Sequence, residues 1–586
     1  MENFNFEAVV IGTGFGGAIT SCRLSKKWPD GQVLILERGK RYPMASFLRS
    51  PHDTIKNLWN VADEKRVPMQ PLNKQQGGNT LGVFDLRTYK KMDALIAAGF
   101  GGGSLIYSNV FMPPPDEIFD ERWPDSCKKG QLAPYYQVAK EVLGARPVPQ
   151  NSDPRREIIR TGWFQDVADE LGRKSELTDI NVFFGNDFER PLEIGVQAKN
   201  RYGAIQTSCT YCAECNIGCN THSKNTLDLN YLFVAEQRYH AKVLTEHRAE
   251  GIVPLDANGM DDPAENGRFG YRVYYQDLNN QVDRTALTGL PSVTTRRVVV
   301  SAGCLGTTEL LLRCRDVYQT LPAISQKLGY AASGNGDFLG FAIEGKRPIN
   351  PTYGPVITQR TDFNLFENFD HQRAFLLEDG GYAPLLAWGV EGFKPRFMFL
   401  GSIKRFIKSF INRWLRGNSM GSFGYAIADM LGGEMSTNST WLQFMGVDAG
   451  DGRFYLNAHN EVEIDWPQES SMPLYQEILK TIKAVGEVVD AKYAVPIATW
   501  GKPLNKNLTV HLLGGCIIGT DAESGVTDAT PEHFGQVFGY SGLYVADGSI
   551  VPTAVGANPC ATISAMSEMV AHGITGLDGS FPDAAL

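Results

Sequence analysis

The N-terminal stretch contains an apolar run, a glycine turn and a second apolar run in close succession. Ala8 to Ile11 are apolar and mostly β-branched, which predicts a strand buried on both faces. Gly12, Gly14 and Gly17 follow in the spacing G-x-G-x-x-G. These glycines permit a tight turn, close approach of the backbone to a pyrophosphate and close packing of a helix on the strand. The helix that begins here presents free N–H groups to phosphate.

The second apolar run, Val33 to Leu36, predicts a neighbouring strand, and the acid Glu37 follows it. A carboxylate at the end of this strand accepts the hydroxyls of a ribose and disfavours a 2'-phosphate. Because strand, turn, helix, strand and acid occur in the required order, we expect a dinucleotide site rather than a purely structural turn.

Later stretches repeat the pattern of a buried strand followed by a turn. RRVVVSAGCLGTTELLLRCR, from Arg296, predicts a strand, a glycine turn and a helix, and LYVADGS predicts a strand that ends at Asp547 and Gly548. Lys242 to Leu244 begins a further strand-like run. This alternation of strands and helices indicates an α/β fold.

A second glycine cluster lies in AAGFGGGSLIYSNVFMPPP, where Gly101, Gly102 and Gly103 precede an apolar turn. So many glycines predict backbone that passes close to a flat ligand and offers it N–H donors, instead of a merely flexible loop.

Other stretches show organisation without assigned chemistry. Residues 41–87 are rich in turns and predict a long excursion or a lid. WPDSCKKGQLAPYYQVAKEVLG predicts an amphipathic helix introduced by Pro134. From about Phe341 to Lys502 aromatic residues become more frequent, and segments such as RFYLNAHNEVEIDW alternate in polarity as antiparallel strands do.

The segment FKPRFMFLGSIKRFIKSFINRWLR interleaves basic and aromatic residues over 402–416. It predicts a basic amphipathic helix that either covers an apolar cavity as a lid or makes peripheral contact with a membrane. The lid is the preferred interpretation, since anionic lipid would repel a chain whose net charge is -9.

Composition narrows the class of protein. A chain of 586 residues with 43% hydrophobic and 21% charged residues is long enough for two or more domains, or for one large domain with an insertion. The net charge of -9 gives no electrostatic reason to expect nucleic acid. The start MENFNFE does not resemble a secretory signal, and no apolar stretch is long enough to span a membrane. With 10 cysteines and no export signal, we expect a reducing compartment, namely the cytoplasm.

Cysteines cluster at Cys209, Cys212, Cys215 and Cys219 in the spacing C-x2-C-x2-C-x3-C. Iron-sulfur clusters use such spacing, but Asn220 stands where ferredoxins carry a proline, and no second run exists. Zinc more usually takes separated C-x2-C pairs. An iron-sulfur cluster, a zinc site, and structural thiols or a disulfide all stay open, with structural thiols preferred.

The opening motif, GGGSLIYSN, TVHLLGGC, LYVADGSIVPTAVGANP and TISAMSE together resemble the glucose-methanol-choline oxidoreductases, and within them the cholesterol oxidase-like branch. The resemblance implies an α/β fold with a Rossmann-like FAD-binding domain, joined to a substrate-binding domain with an antiparallel sheet (α+β). It implies an FAD-binding domain at 1–340 with excursions at about 41–87 and 114–196, a substrate-binding domain at 341–502, and a C-terminal return to the first domain at 503–586.

The resemblance also implies which residues contact FAD. The expected cofactor-binding residues are Gly12, Gly14, Phe15, Gly16, Gly17, Glu37, Arg38, Gly101, Gly102, Gly103, Ser104, Tyr107, Ser108, Asn109, Val243, Ala302, Gly303, Asp547, Gly548, Asn558 and Pro559. Some relatives attach the flavin through a histidine near the second glycine cluster, but none lies between His52 and His222, so we expect non-covalent FAD. Some flavin dehydrogenases of this family carry an iron-sulfur centre near the cysteine run.

Hydride transfer from an alcohol requires one group that accepts the hydroxyl proton and another that holds the oxygen. Histidine suits the first role because its pKa lies near neutrality. His511 and Asn558 match the family's active-site pair, although Leu512 stands where relatives often have proline. Glu378 resembles the glutamate that serves as base for double-bond isomerisation in cholesterol oxidases; the competing interpretation is an acid in a turn.

We therefore expect FAD-dependent oxidation of a CH–OH group in an apolar, sterol-like alcohol, with O2 or a redox partner as electron acceptor. Two alternatives stay open. The same fold could serve isomerisation, desaturation or fatty-acid decarboxylation, or the protein could be a non-catalytic electron carrier. His511 and Asn558 speak against decarboxylation, because relatives with that activity lack the pair.

Overall fold

The computed structural model describes residues 4–49, 56–61, 79–150, 153–280, 286–387, 434–576 and 586. Its first sheet is mainly parallel and contains the strands that the sequence predicts. The parallel strands, in spatial order, are Lys242–Leu244, Val33–Leu36, Phe6–Ile11, Ser292–Val300 and Leu543–Val545. The first half of Ser292–Val300 pairs instead with an antiparallel hairpin of Tyr271–Asp277 and His247–Pro254.

Helices cover this sheet, which explains why its central strands are apolar along their length. The helices of this part are Phe15–Lys27, Lys129–Leu143, Tyr231–Gln237, Gly303–Leu312 and Cys560–Thr575. Arg23 forms a buried bidentate ion pair with Glu568, both contacts measuring 2.9 Å, and Tyr231 donates a hydrogen bond to the same carboxylate at 2.7 Å. A single carboxylate therefore joins the first, third and last of these helices.

The helix predicted to begin at Pro134 begins at Lys129 instead, so the predicted start was wrong. The preceding turn is helical because Leu132 is buried in the main core, which extends the apolar face beyond the proline.

The second sheet is antiparallel, as expected for the substrate side of the fold. Its strands, in spatial order, are Tyr493–Pro496, Phe338–Ile343, Thr440–Gly446, Phe375–Gly380, Gln359–Phe363 and Ser175–Leu177. Helix Met472–Val488 packs Leu474, Ile478 and Ile482 against it at helical spacing, and helix Ile159–Glu170 adds Trp163 and Phe164. The sheet thus takes an edge strand and a helix from the stretch 159–177, far upstream of residue 341.

Smaller sheets complete the described part of the chain. The alternating segment RFYLNAHNEVEIDW forms the predicted antiparallel pair, Gly452–Leu456 with Val462–Asp465, and Tyr330–Ala332 adds a third strand. This sheet packs against Cys304 and Leu305 of the first domain's helix, not against the second sheet. A further sheet has three strands, Phe84–Thr88, Met92–Ala97 and Asn507–Thr509. The remaining described strands form pairs: Trp59–Asn60 with Thr80–Leu81, Gln197–Lys199 with Ile205–Thr207, and Ile518–Gly519 with Thr527–Asp528. A short helix spans Glu434–Thr437.

Two of the predicted segments lie wholly or partly outside the described residues. The basic aromatic segment 402–416 is one, and the excursion 41–87 is described only at 41–49, 56–61 and 79–87. Within the described ranges, no helix combines the length and the apolar character needed to cross a membrane.

Candidate active site

The glycine turn lies at the carboxyl edge of the first sheet, where ligands of open α/β folds bind. Gly12 has a φ of +101°, and a Cβ there would lie 2.2 Å from the carbonyl oxygen of Ser301. A Cβ at Gly16 would lie 1.4 Å from the carbonyl oxygen of Ala546. The turn is therefore pressed against the ends of two other parallel strands. Gly14, by contrast, faces open space and begins a helix without a side-chain cap, which leaves that N-terminus free for an anion.

The second glycine cluster lies directly on this turn. Gly102 has a φ of +52°, and a Cβ there would lie 2.5 Å from the Cα of Gly14. The Gly101 N–H donates to the hydroxyl of Thr13 at 3.1 Å, and the rings of Phe15 and Tyr107 meet edge to face at 5.6 Å. Two segments that are distant in sequence thus form one surface.

Several other residues expected to bind FAD already have protein partners. Glu37 accepts from the Thr13 hydroxyl at 2.5 Å and from the Gly39 N–H at 2.7 Å, and burial raises the pKa of its carboxyl. Arg38 pairs with Asp85 at 2.9 Å. The hydroxyl of Ser104 donates to the Gly101 carbonyl at 2.7 Å.

Asp547 joins two strand ends at the same edge. Its carboxylate accepts from the Gly303 N–H at 3.0 Å and from the Ser549 N–H at 2.9 Å, and the hydroxyl of Thr307 also donates to it. It holds the start of helix Gly303–Leu312 beside strand Leu543–Val545. The expected residues Val243, at the sheet edge, and Ala302 are half-buried, whereas Gly548 is buried.

The residues expected to perform the chemistry lie on loops that pack on this edge. The Gly514 N–H donates to the Gly548 carbonyl at 3.0 Å, which holds the His511 loop against the strand end. The thiol of Cys560 donates to the Val110 carbonyl at 2.9 Å, which holds the Asn558 loop beside the segment after Asn109. Pro559 stands at the N-cap of helix Cys560–Thr575.

Glu378 is a fully buried strand residue, so the interpretation as a turn acid was wrong. The side-chain amide of Asn558 donates to its Oε2 in a long hydrogen bond of 3.5 Å. Burial raises the pKa of Glu378 from 4.5 to about 8, so the carboxyl is mostly protonated at neutral pH. Its Oε1 and the Oδ1 of Asn558 have no hydrogen-bond partner among the described residues, which leaves two polar atoms for a ligand.

Sequence reasoning missed Asp337 and Gln443, which lie beside the expected catalytic residues. Gln443 stands opposite Glu378 on the neighbouring strand, and its amide donates to the Oδ1 of Asp337. The Oδ2 of Asp337 lies 3.1 Å from the Nδ1 of His511 and accepts from the Val510 N–H at 2.7 Å. Asn558 thus contacts Glu378, and Gln443, which is opposite Glu378 on the next strand, contacts Asp337. Asp337 in turn lies beside His511.

The short loop 333–337, with the sequence SGNGD, holds the His511 loop and the Asn558 loop. The amide of Asn335 donates to the Ala557 carbonyl at 2.8 Å, and its oxygen accepts from the Val555 N–H at 2.8 Å. The Ser333 N–H donates to the Leu513 carbonyl at 3.0 Å. A polar turn between strands was the available signal, but its partners lie far away in sequence.

The four clustered cysteines are free thiols that line one narrow cavity of about 10 Å³. Burial raises the pKa of Cys209 well above its usual range and that of Cys212 to about 12, so these thiols are protonated. No group of three or more His, Cys, Asp or Glu side chains in the described ranges is arranged to hold a metal ion. The geometry therefore does not support the iron-sulfur or zinc interpretation.

Lys224 connects the cysteine run to the second glycine segment, a contact that the sequence did not reveal. Its buried ammonium donates to the carbonyls of Leu105 at 3.1 Å, Tyr107 at 2.8 Å and Cys215 at 2.8 Å. Burial lowers the pKa of Lys224 to about 8.

This arrangement defines a class: a dinucleotide-dependent oxidoreductase with a second, antiparallel domain. The family models for GMC oxidoreductases match the chain over residues 9–315 and 464–567. The chain belongs to the GMC oxidoreductase family and is an FAD-dependent alcohol oxidase or dehydrogenase.

Relatives match the chain over nearly its whole length. A cholesterol oxidase from Acinetobacter baumannii is 28% identical, with 97% of this chain and 94% of the relative covered. A cholesterol oxidase from Mycobacterium tuberculosis is also 28% identical, over 97% and 90%. The long-chain-alcohol oxidase FAO4B from Arabidopsis thaliana is 24% identical, over 97% of this chain and 67% of the relative.

Solved structures share the fold at low identity. Pyridoxine 4-oxidase from Mesorbium loti superposes with a TM-score of 0.56 at 14% identity, over 97% of this chain and 99% of that one. A formate oxidase from Aspergillus oryzae gives 0.58 at 13% identity, over 99% of both chains.

The residues present fit FAD. Cβ positions at Gly14, Gly103 and Gly303 meet no protein atom within 4 Å, so backbone is open to a ligand along the edge of the first sheet. The uncapped helix at Gly14 suits the pyrophosphate, and the Glu37 carboxylate has lone pairs left for ribose hydroxyls.

Proposed function

We propose that this enzyme oxidises the CH–OH group of an apolar, sterol-like alcohol. The observation that carries the proposal is the position of His511, Asn558 and Glu378. His511 and Asn558 lie on loops that pack on the carboxyl edge of the first sheet, and the side-chain amide of Asn558 donates to Glu378. The apolar substrate class draws on the relatives, which are named for cholesterol and for long-chain alcohols. The same relatives favour O2 as the electron acceptor, because they are oxidases by name.

The site residues divide the work of alcohol oxidation. FAD held by the Gly12 turn and the second glycine cluster would supply the acceptor for the hydride that leaves the carbinol carbon. The imidazole of His511 accepts the hydroxyl proton, which is too weakly acidic to leave unaided. Asn558 orients the substrate oxygen, because its side chain is held by Glu378 while its Oδ1 is still available. The Gly12 turn anchors the cofactor and takes no part in the chemistry.

Rapid mixing without oxygen tests the proposal. The FAD-loaded enzyme is mixed with a sterol, a long-chain primary alcohol and a sugar, and loss of the oxidised flavin absorbance is followed. We expect the sterol or the long-chain alcohol to reduce the flavin and the sugar to leave it oxidised. His511→Ala should slow reduction by a factor on the order of 100 or more. His459→Ala, in a surface turn, is the matched control and should reduce at the normal rate.

Flavin that no alcohol reduces would refute the alcohol chemistry and favour the alternative of an electron carrier or a non-alcohol reaction.

Analysis of the same preparation for iron and acid-labile sulfide checks the cysteine run. We expect neither, because no group of three or more His, Cys, Asp or Glu side chains among the described residues is arranged to hold a metal ion.

Glu378 supports a second candidate step, proton transfer during double-bond isomerisation. A carboxyl with a pKa of about 8 can both take up and return a proton near neutral pH, which is the property that such a step requires. Glu378→Gln should still allow a sterol to reduce the flavin but should release the unisomerised ketone. An unchanged product ratio would remove this role.

A further inference from the structure

The carboxylate of Asp337 lies against the imidazole that is expected to take the substrate proton. Its Oδ2 is 3.1 Å from the Nδ1 of His511, but the two atoms do not form a hydrogen bond, so the contact is a close approach of a carboxylate to a ring nitrogen. Asp337 is 2% exposed and His511 is half-buried. Little water separates the two groups, and screening between them is weak.

Other groups fix the position of the Asp337 carboxylate. Oδ2 accepts from the Val510 N–H at 2.7 Å, and Oδ1 accepts from the amide of Gln443. The Asn507 amide donates to the Asp337 carbonyl at 3.0 Å. Two of these contacts come from Asn507 and Val510, in the segment that leads into His511, and the third comes from strand Thr440–Gly446. The same short segment therefore carries the imidazole and helps to hold Asp337.

The charge of Asp337 has a direct effect on proton transfer. When His511 accepts a proton, it gains a positive charge, and a carboxylate 3.1 Å away stabilises that charge far more than it stabilises the neutral ring. The benefit depends on distance and low screening and does not require a linear hydrogen bond.

We propose that Asp337 is a positioning residue for the oxidation, one that acts through His511 by stabilising the cation that forms when the imidazole takes the substrate proton. The proposal rests on the proposed function of His511. It adds a residue that the sequence pattern does not mark, because Asp337 precedes His511 by most of the second domain.

Other titratable groups surround the pair formed by Asp337 and His511. Glu378 interacts electrostatically with Asp337 across the second sheet. Asp448 binds the Gly334 and Gly336 N–H groups of the same loop at 2.9 Å each. Tyr475 accepts a hydrogen bond from Asn507, and burial raises its pKa well above the usual range, so it stays neutral. On the strand that pairs with 507–509, Asp93 is matched with Lys506 at 3.1 Å.

The test is the limiting rate of flavin reduction in Asp337→Asn, measured by rapid mixing over a range of alcohol concentrations without oxygen. The limiting rate should fall by roughly 10- to 100-fold, because the developing cation loses its stabilisation. The alcohol concentration that gives half of this rate should stay within about twofold of the wild-type value, because the lost interaction forms only in the transition state. Asp337→Glu, which keeps the charge, should recover most of the wild-type rate.

A purely structural role predicts a different outcome, namely that Asp337→Glu is no faster than Asp337→Asn and that both variants need more alcohol to reach half of their limiting rate, and that result would overturn the proposal. The double variant with His511→Ala provides a second check: Asp337→Asn should cause no further loss in that background, whereas an independent further loss contradicts action through His511. If Asp337→Asn does not fold with FAD, Asp337→Ser serves instead, since its hydroxyl can still accept from the Val510 amide. A normal rate in His511→Ala alone would refute the proposed function itself, which keeps the two failures distinguishable.

Discussion

Replacing Glu378 by Gln should make the protein more resistant to unfolding at alkaline pH and leave it almost unchanged at acidic pH. Glutamine has nearly the same shape, and its oxygen can accept the same hydrogen bond from Asn558. The substitution therefore removes the ability to ionise and little else. The carboxyl is fully buried, so its charged form lacks the solvation it has in the unfolded chain.

The size of the effect follows from the pKa. It rises from 4.5 to about 8 on folding, and each tenfold change in proton affinity is worth about 1.4 kcal/mol. Between these two pH values the unfolded chain binds fewer protons than the folded one, so wild-type stability falls as pH rises. Above pH 8 the full penalty, about 5 kcal/mol, is present. In a chain of 586 residues this corresponds to roughly 4 °C in Tm.

Thermal unfolding of the FAD-loaded wild type and Glu378→Gln, followed from pH 5 to pH 9, measures this difference. We expect the curves to coincide near pH 5 and to separate progressively toward pH 9, with the variant melting higher. Glu523→Gln, in an exposed turn, is the control and should follow the wild type at every pH. A constant offset between wild type and Glu378→Gln across the whole range would mean that Glu378 ionises normally, and would refute the reasoning.

Two further predictions concern the framework of the site. Arg23→Ala should lower the free energy of unfolding by about 3–5 kcal/mol, because Glu568 is left buried without this cation. The double variant Arg23→Ala/Glu568→Ala should lose less stability in urea unfolding than the sum of the two single variants. Gly102→Ala should weaken FAD retention during gel filtration, because its Cβ would meet Gly14 at 2.5 Å in a backbone with positive φ. Gly130→Ala, whose Cβ meets nothing within 4 Å, should retain FAD normally, and equal retention in both variants would contradict the argument.

The sequence by itself determined the local elements of the nucleotide fold. The predicted strands at Ala8–Ile11, Val33–Leu36 and Lys242–Leu244 lie within strands of the structure, as does the apolar run that follows Arg296. Their signals are local, since buried parallel strands are apolar throughout and the turn between them requires glycine. His511 and Asn558 were predicted from short motifs that resemble those of the family, which is also a local signal.

Only the tertiary structure decided the environment of these residues. Glu378 is next to Asp379 and two glycines, which in sequence resembles a turn, yet pairing with strands on both sides makes it a buried strand residue with a raised pKa. The contact of Asp337 with His511 joins positions that only the second sheet and its loops bring together. Composition and spacing cannot encode such contacts, because burial and charge pairing depend on which distant strands pack against a residue. The glycine turn could be predicted because the glycines that it requires stand close to one another in the sequence.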